Sequence, residues 1–109
     1  MGKNLTIEVI DAIAYRFRVL SEPIRIRILQ CLREGEKTVT ELTRELEMSQ
    51  PNASKHLRIL QEAGLVGRDP RGNSVYYSIA DESIFEMCDV VCDSLGAQFK
   101  EKAEIFAAV

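Results

Sequence analysis

The 109-residue chain has no tryptophan, a single histidine, three cysteines and no long apolar run. A membrane-spanning helix needs about 20 consecutive apolar residues, and a secretory signal needs a charged segment followed by an apolar one. Neither pattern occurs, so we expect a cytoplasmic protein. Its cysteines, Cys31, Cys88 and Cys92, are then expected to be reduced, and their odd number argues against a framework of structural disulfides.

The residue patterns of common enzyme sites are missing as well. No glycine-rich phosphate loop occurs, and the cysteines lack the Cys-x-x-Cys spacing of redox enzymes. The single histidine, His56, is flanked by Lys55 and Leu57 and has no neighbouring nucleophile or metal ligand. We therefore predict that the chain is not an enzyme and that His56 has a packing or capping role.

Residues 49–64 have the pattern of an amphipathic helix with defined ends. Ser49 suits the N-cap, Pro51 is tolerated in the first turn, and Gly64 suits the position where a helix stops. The apolar residues at helical spacing are Ala53, Leu57 and Leu60, and the polar residues of the opposite face are Asn52, Lys55, Arg58 and Glu62. One face is therefore expected to pack and the other to meet a partner.

A short hairpin is predicted directly after this helix, over about residues 65–79. Leu65–Arg68 and Ser74–Ile79 have the composition of two strands, and residues 69–73 have that of a loop. Arg68 and Arg71 lie on or beside this loop, where long cations can reach a phosphate backbone or a minor groove. An amphipathic helix followed by such a hairpin is the sequence form of a winged helix-turn-helix.

Three further helices are predicted before residue 49. The first carries an apolar stripe and ends near Pro23, and the second begins at Pro23 and stops at Gly35. The third begins with Thr38 and Glu41, at the Thr-x-x-Glu spacing of a capping box. The stripe of the first helix consists of Leu5, Val9, Ile10, Ile13, Phe17 and Leu20. Together these patterns predict a single domain over residues 1–109, mainly α with a small two-stranded β-wing.

The last predicted helix, over about residues 81–106, has apolar residues that repeat as on a helix that pairs with another helix. These residues are Phe85, Cys88, Cys92, Leu95, Phe99 and Phe106. Cys88 and Cys92 are one turn apart and could present two thiolates to one soft ion. They could equally be small apolar members of a packed seam. The spacing fits both interpretations.

Charge is unevenly distributed along the chain, although the formal net charge is only −3. Residues 1–48 carry eight Lys/Arg and eight Asp/Glu, residues 49–75 carry four and two, and residues 76–109 carry two and seven. The positive segment coincides with the amphipathic helix and hairpin, so we expect it to face DNA and the acidic end to face away. With so few cations per subunit, tight binding would require a dimer or a larger assembly.

Three segments resemble the ArsR/SmtB family of transcriptional repressors from bacteria and archaea. They are LSEPIRIRIL, EKTVTELTRELEMSQPNASKHLRILQEAGLV and GNSVYYSI. The resemblance covers nearly the whole chain, and its Ser-x-His-Leu-x-x-Leu-x-x-Ala-Gly-Leu-Val pattern, at Ser54–Val66, is fairly specific. It implies a winged-helix homodimer joined through the first and last helices. It also implies repression of a nearby operon that is relieved by an inducer.

The resemblance further implies which side chains meet double-stranded DNA. The predicted set is Gln50, Asn52, Ser54, Lys55, Arg58, Arg71 and Asn73. Gln50, Ser54 and Lys55 match positions that family members point into the major groove, where amide and ammonium groups can address adenine or guanine edges. Arg58 is better placed for a phosphate, and the two wing residues would follow the minor groove or the backbone. No cofactor is expected to be required for DNA binding.

The chain departs from the better-known inducer sites of this family. Many arsenic and cadmium sensors carry Cys-Val-Cys-Asp-Leu-Cys in the third helix, where this chain has TVTELT at Thr38–Thr43. The last helix has no histidine for the zinc site of other members. Cys88 and Cys92 remain, with Cys31, the partner subunit or solvent as a third ligand. Such a sulfur-rich site would suit arsenite, antimonite, cadmium, lead or Cu(I).

Other functions of the thiols, and of the chain, stay open. Some relatives sense oxidants or reactive sulfur through one cysteine in the second helix and one in the last, an arrangement that Cys31 could form with Cys88 or Cys92. The thiols could also have no sensing role. In a different class of function, the chain would be a winged-helix protein-interaction module without an inducer.

Overall fold

The computed structural model describes residues 2–99, which form five α-helices and three β-strands. The helices are α1 (Ile7–Val19), α2 (Pro23–Arg33), α3 (Val39–Leu46), α4 (Gln50–Glu62) and α5 (Ser83–Gln98). The strands are β1 (Lys37–Thr38), β2 (Val66–Arg71) and β3 (Ser74–Ile79). Across the described range, no helix has both the length and the hydropathy needed to cross a membrane.

The starts of α3 and α4 are fixed by side chains that accept hydrogen bonds from the backbone. The Thr38 Oγ1 accepts from the Glu41 N–H at 3.2 Å, and the Glu41 Oε1 accepts from the Thr38 N–H at 2.9 Å. At α4, the Ser49 Oγ accepts from the Asn52 N–H at 3.3 Å. An N-cap of this kind contributes about 1 kcal/mol. The predicted capping box and the predicted N-cap at Ser49 are both confirmed.

The wing has a third strand in addition to the two that the sequence predicts. The strand order is β1-β3-β2, with both pairs antiparallel. Lys37 lies opposite Tyr77, and Thr38 lies opposite Tyr76. A strand of two residues is too short to show an alternation of apolar and polar residues, so the sequence pattern could not reveal it.

The turn of the wing is tighter than predicted. The predicted loop covered residues 69–73, whereas β2 continues to Arg71 and only Gly72 and Asn73 connect it to Ser74 of β3. Gly72 has a φ of +59°, which favours glycine at the first position of a two-residue hairpin turn. Pro70 is tolerated in β2 because β2 is an edge strand of this sheet.

The core lies where α2, α3 and α4 meet the wing and the first turn of α5. Its largest fully buried side chains are Ile28, Leu42, Leu57, Leu60, Leu65 and Ile84. Burial of one such side chain contributes about 1.5 to 3 kcal/mol. The inward face predicted for α4 is confirmed, because Ala53, Leu57 and Leu60 have no exposed surface.

Much of the apolar surface of α1 and α5 stays outside this core. The stripe residues Leu5, Val9, Ile10, Ile13 and Phe17 are 41–53% exposed, and only the last of the stripe, Leu20, is buried. Among the described residues, α5 begins at Ser83, two residues after the predicted start at about residue 81, and ends at Gln98. Residues 100–106 of that prediction, including Phe106, lie outside the described residues.

Candidate nucleic-acid interface and thiol sites

Helices α3 and α4 are joined by a short turn that leaves one face of α4 open. Glu47 caps α3 in the left-handed region, with a φ of +52°, and Ser49, two residues later, is the N-cap of α4. The five residues of α4 predicted to contact DNA are exposed: Gln50, Asn52, Ser54, Lys55 and Arg58. The opposite face of α4 packs into the core, so its outward side chains are held on a fixed element.

A cationic groove runs between α4 and the wing. It has a volume of about 400 Å³ and is lined by Pro51, Ser54, Lys55, Arg58, Gln61, Arg68 and Tyr77. Three of these side chains are cations and none is acidic. Among residues 2–99, Lys55, Arg58 and Arg68 form no ion pair. Their charges are therefore available to an anionic partner.

The predicted DNA-contacting residues at the start of α4 and at the tip of the wing share a second recess. It has a volume of about 300 Å³ and is lined by Thr38, Val39, Thr40, Gln50, Asn73, Ser74 and Val75. The structure thus brings Asn73 close to Gln50, while Ser54, Lys55 and Arg58 lie along the cationic groove. Five of the seven predicted residues therefore line one of the two recesses, and Asn52 and Arg71 line neither.

Arg71, the other predicted wing contact, is engaged within the protein. Its Nη1 and Nη2 donate to the two carboxylate oxygens of Glu36 at 2.7 and 2.8 Å, and its Nε donates to Asp69 at 2.8 Å. The hydrogen bonds that Glu36 accepts from Arg71 lower the pKa of its carboxyl, so it stays ionised. Sequence reasoning missed Glu36 because it precedes β1, the strand that the pattern did not reveal.

His56 lies on the inward face of α4. It is 6% exposed, and its Nδ1 accepts a hydrogen bond from the Arg25 Nε at 3.1 Å. The Arg25 Nη1 donates to the Val19 carbonyl at 3.0 Å, so this arginine links α1, α2 and α4. Burial, followed by the positive charge of Arg25, lowers the pKa of His56. A neutral, hydrogen-bonded imidazole agrees with the predicted packing role.

Cys88 and Cys92 open onto one apolar cavity between α1, α2 and α5. The cavity has a volume of about 320 Å³ and is lined by Phe17, Leu20, Ile26, Met87, Cys88, Val91, Cys92 and Leu95. The two thiols therefore share one environment, as their spacing predicts. Burial is the largest cause of a raised pKa at Cys88, so this thiol is protonated at neutral pH. Two sulfur donors on one cavity fit part of a soft-metal site.

Cys31 lies in a different recess, and only Ile26 lines both. The Cys31 Sγ donates a hydrogen bond to the Glu45 Oε2 at 2.7 Å, and Lys37 donates to the same carboxylate at 3.1 Å. Burial, and then this hydrogen bond to Glu45, raise the pKa of Cys31 to about 11.

The cysteines of one chain do not assemble into a three-thiol site. Within residues 2–99, the one group of three side chains whose ligand atoms lie within 4.8 Å of one another is Cys31, Glu34 and Glu45. That group contains neither Cys88 nor Cys92. The structure therefore brings two of the predicted thiol ligands together and leaves the third apart.

An exposed polar helix face, held by a helix-turn-helix and flanked by an antiparallel wing, defines the class of winged helix-turn-helix proteins. The chain belongs to the ArsR family of bacterial regulatory proteins, because residues 22–67 match the model of that family and the chain is 30% identical to a possible ArsR-family regulator of which it covers 91%. The homodimeric winged helix-turn-helix domain of Mb0332 from Mycobacterium bovis, described as a possible ArsR-family regulator, agrees in fold. Its TM-score is 0.72 at 30% identity, covering 85% of this chain and 91% of that one.

Two curated relatives support the same family. The HTH-type transcriptional repressor SmtB of Mycobacterium tuberculosis is 40% identical over 77 residues, which are 71% of this chain and 57% of SmtB. The arsenic resistance transcriptional regulator ArsR1 of Pseudomonas putida is 45% identical over 67 residues, 61% of this chain and 52% of ArsR1. The chain thus spans little more than half the length of these relatives. All are named as regulators, which confirms the prediction that the chain is not an enzyme.

Proposed function

We propose that the protein is a sequence-specific, DNA-binding transcriptional repressor that works in the cytoplasm as a homodimer. The observation that carries the proposal is the exposed polar face of α4 beside a groove that is lined by three cations and no acidic side chain; these cations form no ion pair with any residue that the structure describes. Phosphates bind such cations, and base edges are recognised by short polar side chains from a helix in the major groove. SmtB, to which the chain is similar, is named a repressor.

Each predicted contact has a role in this proposal. Gln50, Asn52, Ser54 and Lys55 address base edges from the exposed face of α4. Arg58 and Arg68 bind phosphates from the two sides of the cationic groove. The wing residues Asn73 and Arg71 reach the backbone or the minor groove. The acidic α5 does not line either recess, in keeping with an orientation away from the DNA.

The homodimer is proposed from the apolar surface of α1 and α5. Large apolar side chains that are at least 41% exposed occur on both helices or beside them: Leu5, Ile7, Val9, Ile10, Ile13, Tyr15, Phe17, Val90, Val91 and Phe99. An apolar surface of this extent marks an interaction site. A second copy would cover this surface. The two copies of α4, the helix proposed to recognise DNA, would then lie on half-sites about 34 Å apart. The similar domain of Mb0332 is homodimeric.

Binding to the upstream DNA of the gene tests this proposal. We expect the reduced protein to bind its own upstream duplex with at least tenfold preference over a scrambled duplex, as fluorescence anisotropy would measure. Lys55→Ala should weaken specific binding by roughly 5- to 100-fold if the ammonium group contacts a base. Glu62→Ala, at the C-terminal end of α4, is the control and should bind like the wild type. Equal binding to both duplexes would instead favour a protein-interaction module.

We further propose that a soft metal or metalloid releases the repressor by binding to Cys88 and Cys92. Arsenite, antimonite, cadmium and lead are the ions that suit such sulfur donors. The thiols of Cys88 and Cys92 line the cavity between α1, α2 and α5. A bound ion would therefore act on α1 and α5, the two helices of the proposed dimer interface. A third ligand would come from a second copy or from solvent, because Cys31 lies in a separate recess. ArsR1, to which the chain is similar, is named for arsenic resistance.

Cysteine variants separate this proposal from the sulfur-sensing alternative. Cys88→Ser and Cys92→Ser should each abolish release from DNA by arsenite or cadmium while leaving operator affinity unchanged. Cys31→Ser is the matched control and should respond normally. Ultraviolet absorption of cadmium–thiolate bonds gives a second readout, which should rise with pH because the metal must displace thiol protons. Release by a polysulfide that requires Cys31 as well as Cys88 or Cys92 would support thiol redox or reactive-sulfur sensing instead.

A further inference from the structure

Arg71 differs from the other cations of the candidate interface because its charge is already paired. Glu36 accepts two hydrogen bonds from it, and Asp69 accepts one. One face of its guanidinium lies 4.5 Å from the centre of the Tyr76 ring. The guanidinium is thus held by two carboxylates and an aromatic face, whereas the three cations of the groove have no such partners among the described residues.

The contact with Glu36 uses the donors that arginine would use for DNA. A guanidinium binds carboxylate and phosphate in the same way, with two parallel N–H bonds. Glu36 therefore occupies the edge of Arg71 that a phosphate would occupy, and Asp69 takes the Nε–H. A bidentate contact between Arg71 and DNA requires a carboxylate to leave.

The charges of this group oppose the approach of DNA. One guanidinium and two carboxylates have a formal net charge of −1, and they lie in and beside the wing, on β2 and just before β1. The side chains are 42–60% exposed, so their charges are felt at the surface. A negative group in this place repels the phosphate backbone, whereas a free Arg71 would attract it.

We propose that Glu36 and Asp69 compete with DNA phosphates for Arg71 and thereby restrain DNA binding by the wing. This inference rests on the proposed DNA-binding function. Glu36 is then a residue that sets affinity without touching DNA. The groove cations supply binding from the first encounter, and Arg71 contributes only when a phosphate displaces the Glu36 carboxylate.

A double-mutant cycle of Glu36→Gln and Arg71→Gln tests the competition, with affinities measured by anisotropy on the upstream duplex and on a scrambled duplex. E36Q should tighten binding to both by roughly three- to tenfold and steepen the salt dependence by about 0.9 per subunit, because one more phosphate is contacted. R71Q alone should weaken binding by roughly two- to threefold, because Arg71 binds DNA only when a phosphate displaces Glu36, and its loss leaves two unpaired carboxylates beside the DNA. R71Q added to E36Q should abolish the gain.

Glu34→Gln is the matched control. Glu34 lies two residues from Glu36 and contacts Lys37 rather than Arg71, so E34Q makes the same charge change without freeing the arginine. Equal tightening by E34Q and E36Q, or a gain that persists in E36Q/R71Q, would overturn the inference in favour of general charge repulsion. Weaker binding by E36Q would also overturn it, since Glu36 would then hold Arg71 in place for DNA.

The two duplexes distinguish failure of this inference from failure of the proposed function. Competition for phosphate does not depend on the base sequence, so the same coupling between Glu36 and Arg71 is expected on the scrambled duplex. A complete cycle without preference for the upstream duplex would count against the repressor and retain the competition. A clear preference for the upstream duplex with no coupling between Glu36 and Arg71 would support the repressor and overturn the competition. Circular dichroism and melting temperature should match the wild type, because the ion pair is exposed.

Discussion

The helix-turn-helix of α3 and α4 buries its apolar side chains, whereas the outer helices, α1 and α5, leave many of theirs exposed. Leu42, Leu57 and Leu60, on α3 and α4, have no exposed surface, whereas Ile7 and Phe17 on α1 are 74% and 53% exposed. Both regions have an apolar stripe at helical spacing. The stripe of the first region is buried within one chain, whereas that of the second is exposed in the single chain and, in the proposed homodimer, is covered by a second copy. A sequence stripe therefore identifies a face that packs, and only the structure shows whether the same chain covers it.

The largest expected contrast between the two regions is in stability. Leu42→Ala should lower the free energy of unfolding by about 2 to 5 kcal/mol, because it removes a fully buried side chain and leaves a cavity. Ile10→Ala should cost less than about 1 kcal/mol per chain when the protein is dilute, since Ile10 is half exposed in the single chain. Urea denaturation at two protein concentrations would measure both effects.

The two variants should also differ in how their cost in unfolding free energy depends on protein concentration. If α1 is covered by a second copy, the cost of Ile10→Ala should grow at high protein concentration, because dimerisation stabilises the folded state by mass action. The cost of Leu42→Ala should be the same at both concentrations. Equal costs for the two variants would show that α1 belongs to the same core as α3.

A charge placed on the α1 stripe should abolish the proposed dimer contact and leave the helix-turn-helix folded. We expect Ile10→Glu to convert the proposed dimer to a monomer in sedimentation equilibrium. It should also weaken operator binding by roughly 100-fold, because the two copies that bind the two half-sites are no longer joined. The fold of the single chain should persist, since Ile10 is 49% exposed there. Arg44→Gln makes the same charge change at an exposed position on α3, away from the apolar surface of α1 and α5, and should remain dimeric. An Ile10→Glu protein that stays dimeric would move the interface away from α1.

Local signals explain what the sequence could predict. The starts of α3 and α4 follow from Thr38, Glu41 and Ser49, whose hydrogen bonds join residues three positions apart. The inward face of α4 follows from helical spacing alone. Caps and periodicity depend on neighbours along the chain, so a single sequence is enough to identify them.

The missed features depend on contacts between distant residues. Arg71 meets Glu36 across 35 positions, and Cys31 meets Glu45 across 14. Neither pairing leaves a periodic trace. β1 consists of two residues and is defined only by its pairing with β3. The candidate interface was therefore predictable as a helix face, whereas the state of its wing arginine and the separation of the thiols were not.

The smallest expected effect concerns two hydrogen bonds that link α1 to the helix-turn-helix. Arg25 donates one to His56 on α4 and the other to the Val19 carbonyl at the end of α1. The lowered pKa of His56 means that the folded protein holds a neutral imidazole where the unfolded chain, with a pKa near 6.5, takes up a proton. Stability from this site is thus complete above pH 6.5 and decreases as the pH falls below it. For one group the slope cannot exceed about 1.4 kcal/mol per pH unit.

His56→Asn keeps a hydrogen-bond acceptor near the position of Nδ1 and removes the titration. Urea denaturation between pH 5 and pH 7 should therefore show a shallower pH dependence of the unfolding free energy in this variant than in the wild type. Acidic groups such as Glu36 and Glu45, whose pKa values are lowered, titrate at lower pH and are present in both proteins. Their contribution cancels in the difference between the two slopes. Identical slopes in the two proteins would show that protonation of His56 does not contribute to the pH dependence of stability.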